Sequence, residues 1–266
     1  MLLSKEDLDK IQCDGFFLVS QVDLSIGSYF AKFCSLDAIF RELLGKKVFD
    51  LVGIKNAEYE YVPEKKCLIS KDLNSDKKFY TPYDFYIMRA TTMEQVFRGL
   101  DNLEVATKVN SKKAKLSLEI MHFIDLLFSN IDRHITNFGF YIDELGNVEL
   151  VLLDNECFLK YYVEATRPMY YGDDRTDTNT FMTIPKRKEA ELFLNNISDE
   201  LKELIPKYME LFHPSRVEVM IQGLEMELAH EFPQKRYNMR KYKRNYSMVK
   251  RLLKGKKKEF SKSLVM

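Results

Sequence analysis

The chain has 266 residues, 45% of them apolar and 30% charged, and a net charge of +1. That length suits one large domain or two lobes sharing a cleft. The composition excludes collagen-like, disordered and disulfide-scaffold classes, and the near-zero charge excludes any partner argument from whole-chain electrostatics.

The first segment, MLLSKEDLDK, carries charges by residue 5 and lacks the apolar region of a signal peptide. Residues 16–33 read as two strands, FFLVSQ and SYFAKF, joined through a turn that holds Gly27. Ser35 then fits a helix N-cap, with Asp37 in the first turn. Leu36, Ile39, Phe40, Leu43 and Leu44 follow at helical spacing, and Gly45 stands near the expected stop.

Residues 58–73 read as a second hairpin around the turn-like PEKK, and the polar stretch 71–85 reads as a hinge. Up to residue 72 the chain is strand-rich with one helix, and beyond it the pattern turns helical. Thr91 and Glu94 form a capping box before a periodic stretch. Residues 112–129 make a strong helix with a wide apolar face.

A loop, NIDRHITN, follows, then a hairpin of FGFYI and VELVLLD. Residues 155–186 have no clear period. Residues 187–207, 215–230 and 239–254 read as helices, with Ser215 and Glu218 as another capping box. The expected fold is α+β and bilobal, with a small β-rich lobe over residues 1–72 and a mainly helical lobe over 73–266.

Cys13, Cys34, Cys67 and Cys157 form no CxxC pair or zinc spacing, so free buried thiols in a reducing compartment are expected. No run of apolar residues is long enough for a transmembrane helix, and a cytoplasmic location is expected. Between residues 235 and 262 stand thirteen Lys or Arg and one acid, Glu259. Such a run is most often a solvated helix face. It also suits contact with an anionic membrane or, through the interleaved Tyr237, Tyr242 and Tyr246, with nucleic acid.

The chemistry concentrates in residues 130–154. Asp132 and Asn137 lie five apart in the loop after the long helix, and Asp154 closes the buried strand of the next hairpin. Phosphoryl transfer needs a carboxylate near the attacking hydroxyl, and a neutral oxygen ligand plus a second carboxylate on magnesium. Protein kinases place the catalytic-loop Asp and Asn at this interval. A carboxylate directly after a buried strand is aimed by the sheet, and magnesium favours such hard oxygens.

The sequence Asn130-Ile-Asp132-Arg133-His134-Ile-Thr-Asn137, followed by a hairpin ending in Asp154, resembles the HipA-like kinases, which are Ser/Thr protein kinases of the bacterial toxin type. The resemblance covers roughly residues 10–160 and implies ATP and Mg2+, with Asp132 as catalytic base and Asn137 and Asp154 as metal ligands. Lys32 at the end of its strand and Glu42 ten residues later match the Lys–Glu pair that holds the phosphates. Ser70 falls where the adenine-holding hinge would lie.

The phosphate-covering loop has two candidates, one around Gly15 and one at Gly27 and Ser28. Asn155-Glu156 stands where Phe-Gly often follows the metal Asp. The chain resembles the compact, stand-alone members of the family, some of which are bacterial effectors that act inside host cells. The implied acceptor is a protein Ser/Thr hydroxyl, with autophosphorylation in the Thr- and Tyr-rich segment 161–183. DRHxxN also occurs in phosphoinositide kinases, so a lipid or small-molecule kinase and an inactive nucleotide-binding module stay open as alternatives. Arg133 and His134 are expected to order the loop.

Overall fold

The computed structural model describes residues 3–12, 19–74, 78–85, 93–130, 133–159, 187–228 and 239–263, with side chains of the last helix as far as residue 255. Cys13, Gly15, Thr91, Asp132 and the segment 161–183 lie outside the described residues. The class is α+β, as expected, with two four-stranded sheets and a mainly helical second half.

Helix α1 (Lys5–Lys10) opens the chain, capped by Ser4. Its buried Asp7 accepts hydrogen bonds from the Ser25 N–H at 2.7 Å and the Ser25 hydroxyl at 2.6 Å, which pins α1 to the next hairpin. That hairpin joins β1 (Val19–Leu24) to β2 (Gly27–Phe33), with Leu24 opposite Gly27 and Val19 opposite Lys32. The first sheet is completed by β4 (Glu60–Val62) and β5 (Cys67–Lys71), in the order β1-β2-β5-β4. Alternation along β2 sends Ala31 into a small core with Val22, Leu24 and Ile69, and turns Lys32 to the opposite face.

Helix α2 (Leu36–Leu51) starts where Ser35 accepts a hydrogen bond from the Ala38 N–H at 3.2 Å. It does not stop at Gly45 but runs on to Leu51. Gly45 marks a close approach instead, since a Cβ there would sit 2.3 Å from the Cβ of Asn155. The chain then enters the second sheet as β3 (Lys55–Asn56) before returning to the first. The second sheet has the order β3-β8-β7-β6, with β6 (Phe79–Tyr80), β7 (Phe138–Ile142) and β8 (Val148–Leu152). β6 falls in the stretch read as irregular. It pairs because Gly139 on β7 leaves room for the Phe79 ring, which would meet any Cβ there at 2.1 Å.

Helices α3 (Met93–Thr107) and α4 (Lys112–Phe128) precede the β7–β8 hairpin. α4 is buried along most of its length, and its last turn carries Leu126, Leu127 and Phe128. The stretch 187–207, which reads as one helix, is two: α5 (Arg187–Asn196) and α6 (Asp199–Leu211). Ser198 breaks it because its N–H and hydroxyl both go to the Glu119 carboxylate of α4, while its oxygen caps α6.

Helix α7 (Pro214–Glu227) begins at Pro214 with His213 as its cap, not at Ser215. Proline suits the first helical position because its missing N–H has no helical partner there. Glu218 reaches across to Lys243 at 2.5 Å instead of closing a capping box. Lys243 belongs to α8 (Met239–Ser263), whose Tyr242, Tyr246 and Val249 join the main core. No described helix is long and apolar enough to cross a membrane. Cys67 and Cys157 are buried free thiols and Cys34 is half-buried.

Candidate active site

Lys32 ends β2 on the face away from the small core, and its ammonium is surrounded by carboxylates. Nζ lies 3.1 Å from Glu42 Oε2, 3.0 Å from Asp154 Oδ2 and 3.3 Å from Glu156 Oε2. Glu42 comes from the second turn of α2 and is fully buried. Asp154 stands two residues beyond β8, where the Leu153 N–H still bonds the Asn137 carbonyl at 2.9 Å. The Glu156 N–H donates to Asp154 Oδ1 at 3.0 Å and leaves Oδ2 for Lys32.

Arg133 is fully buried and ties the loop to the strand end. Its Nε donates to Asp125 Oδ2 at 2.9 Å and its Nη2 to Asp125 Oδ1 at 3.2 Å. Nη1 donates to the Asp154 carbonyl at 2.6 Å, and Nη2 also reaches Asn155 Oδ1 at 2.8 Å. His134 Nδ1 lies 2.7 Å from the Thr136 hydroxyl. Both residues thus order the loop, as expected from the sequence.

Asn155 completes the frame. Its N–H lies 2.9 Å and 3.0 Å from the two Glu42 oxygens, and its side-chain amide reaches Glu42 at 3.3 Å and Asn56 at 3.3 Å. One residue therefore couples the glutamate behind Lys32 to the arginine behind Asp154. The Arg41 Nε also bonds the Glu156 carbonyl at 2.5 Å, so α2 grips this segment twice.

The charges shift one another. Burial alone would lower the Lys32 pKa, but Glu42, Asp154 and Glu156 outweigh it and hold the ammonium charged far above its ordinary range. Burial pushes Glu42 up to about 8, and the nearby Asp154 charge adds to that. Burial would also raise Asp154. Lys32 and the Glu156 N–H reverse this and hold its carboxyl below the usual range. With Asp154 and Glu156 both beside the Lys32 ammonium, the cluster favours added positive charge even when Glu42 is protonated.

These groups open on a cavity of about 570 Å³ between the two sheets, a size suited to a nucleotide-sized ligand. Val19, Phe30 and Lys32 line it from the first sheet, and residues 71–74 close one side. Phe79 of β6 lines it from the second sheet, together with Ala57 and Tyr59 after β3, Asn137 just before β7, and Leu153 and Asp154 just after β8. Tyr59 is fixed by its hydroxyl on the Leu153 carbonyl. Apolar walls suit a flat base, the ammonium suits phosphate, and Asp154 with Asn137 offers the hard oxygens that magnesium takes. The residues present fit both groups.

Of the residues singled out by sequence, Lys32, Ser70, Asn137 and Asp154 meet at this cavity, with Glu42 behind Lys32. Gly27 and Ser28 do not. They sit at the far end of β2, five and four residues from Lys32, about 13–16 Å away along a strand. Ser28 Oγ there accepts from Gln21 at 2.9 Å. β1 begins at Val19, the register partner of Lys32, so the chain enters the sheet beside the lysine. Gly15 and Asp132 lie outside the described residues. Sequence reading missed Tyr59, Asp125 and the roles of Asn155 and Glu156. The signal for Asn155 was Gly45, a glycine kept inside a helix.

No protein-family model matches the chain, and no curated protein matches its sequence. Nine chains among the solved structures match it by structure. One is the Helicobacter pylori proinflammatory kinase CtkA, at 15% identity and a TM-score of 0.46, covering 88% of this chain and 89% of that one. Another is the choline kinase LicA from Streptococcus pneumoniae, at 12% identity and a TM-score of 0.28, covering 90% and 92%. At these values the likeness adds nothing to the geometry above.

Proposed function

We propose that the chain is a phosphotransferase that moves the γ-phosphoryl group of ATP to a hydroxyl, with a protein Ser or Thr as acceptor in the manner of the HipA-like kinases. The observation that carries this reading is the convergence of Lys32, Asn137 and Asp154 on one cavity between two sheets, with the buried Glu42 behind Lys32. The acceptor class rests on the resemblance of residues 130–137 alone.

Lys32 would bind phosphate oxygens, and Glu42, held by Asn155, would keep its ammonium aimed into the cavity. Asp154 and Asn137 would hold magnesium, which when bound neutralises phosphate charge. Asp132 would accept the acceptor hydroxyl's proton as its oxygen bonds phosphorus and the bond to the β-phosphate oxygen breaks. Most of the rate would come from positioning and charge stabilisation, as phosphoryl transfer requires.

The test is transfer of labelled γ-phosphate with magnesium to a generic protein or to phosphoinositides, using the wild type, Asp132→Ala, Asp154→Ala and Lys32→Ala. Label on protein that each substitution lowers by about 100-fold or more supports the reading. Label on lipid would replace the acceptor class. ATP binding without transfer to any acceptor would make the chain a nucleotide-binding module.

A further inference from the structure

The inward face of α8 is apolar and tightly tied. The Tyr242 ring packs 4.8 Å from Phe128 and its hydroxyl donates to the Phe212 carbonyl. The Tyr246 hydroxyl donates to the Met209 carbonyl at 2.9 Å. Asn245 donates to the Leu126 carbonyl at 3.0 Å and the Ser129 hydroxyl at 2.6 Å. Those groups end α4, where Ser129 takes a left-handed turn into the candidate catalytic loop.

The outward face carries Arg240, Lys243, Arg244, Lys250, Arg251 and Lys254, all exposed, with no acid between residues 239 and 255. Their spacing of three, four and seven residues aligns them in one stripe about 21 Å long at 1.5 Å per residue. Of these six, Lys243 alone has an acidic partner, Glu218, among the described residues. Lys250 lies over the Tyr246 ring at 5.9 Å.

We infer that this stripe binds the sugar–phosphate backbone of a nucleic acid without regard to base sequence. A straight row of bases matches a linear polyanion, and 21 Å spans about six phosphates of one duplex strand. A bilayer fits less well. An interfacial helix needs an apolar face free to enter the lipid, and here Tyr242, Tyr246 and Val249 are buried while Met248, Leu252 and Leu253 pack on the core. The same burial leaves the two tyrosines no way to stack on bases, so backbone contact alone remains. The whole chain carries only +1, so any affinity must come from the stripe and not from net charge.

This inference stands apart from the phosphotransfer reading and is tested without ATP. The measurement is fluorescence anisotropy of a labelled duplex of about 30 base pairs, in two unrelated sequences, titrated with the full chain between about 50 and 200 mM salt. The expected result is equal affinity for both sequences, falling about 60- to 1000-fold over that range with a log–log slope of about −3 to −5. The variant Arg240→Glu/Arg244→Glu/Lys250→Glu/Arg251→Glu is expected to lose affinity by more than about 10-fold while keeping its melting temperature, because all four side chains are exposed. Should it fail to fold, the same four residues changed to Gln serve, with a flatter slope expected. Absent binding, a salt-independent affinity, or attachment to phosphatidylserine vesicles but not to the duplex would overturn the inference.

Discussion

At the scale of single residues, the site depends on a contact that only a glycine permits. Asn155 fills the space beside Gly45 and from there holds Glu42 and Arg133. Gly45→Ala is expected to destabilise the fold by about 1–3 kcal/mol, since the new methyl meets a buried, fully bonded side chain, and to weaken nucleotide binding as Glu42 shifts. Gly223→Ala on α7 is the control. No described residue lies within 4 Å of a Cβ there, so the better helix former should stabilise by up to about 1 kcal/mol. Urea unfolding of both variants checks the pair, and equal effects would show that Gly45 matters only as a helix residue. The Asp125–Arg133 ion pair obeys the same logic of burial. Both side chains are fully enclosed, so neither charge can be removed alone without leaving the other uncompensated.

Among elements, α4 is the axis on which the others are hung. Glu119 takes the start of α6, Asn245 of α8 covers its C-terminal carbonyls, and His122 meets α5 through Phe193 at 4.5 Å. The His122 Nδ1 is buried without a hydrogen-bond partner among the described residues, and burial pushes the imidazole pKa down to about 4. The unfolded chain binds a proton near pH 6.5, whereas the folded one does not until about 4. Stability is therefore lost as pH falls through that window. The expected loss between pH 7 and 5 is about 1–2 kcal/mol, because the ring keeps some exposure. His122→Phe should remove that part of the pH dependence. Denaturant midpoints of the two proteins at both pH values measure it, and parallel slopes with pH would refute it.

For the whole molecule, α8 is a structural member and not an appended tail. Tyr242, Tyr246 and Val249 are core residues, and burying three such side chains contributes about 5–9 kcal/mol. That approaches the total stability of a typical domain. A chain ending at residue 238 is expected to lose cooperative thermal unfolding, followed by circular dichroism. A melt within a few degrees of the full chain would mean that the core closes without α8. The basic run was legible as a solvated helix face, but its tyrosines were not legible as core, because a dense set of lysines and arginines masks the apolar period.

The amino-acid sequence by itself determined much of the local structure: the hairpin whose second strand carries Lys32, the Ser35 cap, the apolar length of α4, and Asp154 after a buried strand. These are short-range signals, carried by propensity, capping and period. Only the tertiary structure decided which of the candidate groups meet. It brought Lys32, Asn137 and Asp154 to one cavity with Glu42 behind Lys32, left Gly27 and Ser28 at the far end of their strand, and enlisted Asn155, Tyr59 and Asp125. It also divided residues 187–207 at Ser198 through a carboxylate 79 positions away. Contacts of that range leave no period in a sequence. They exist only where packing removes buried polar groups from water and compels each to find a partner.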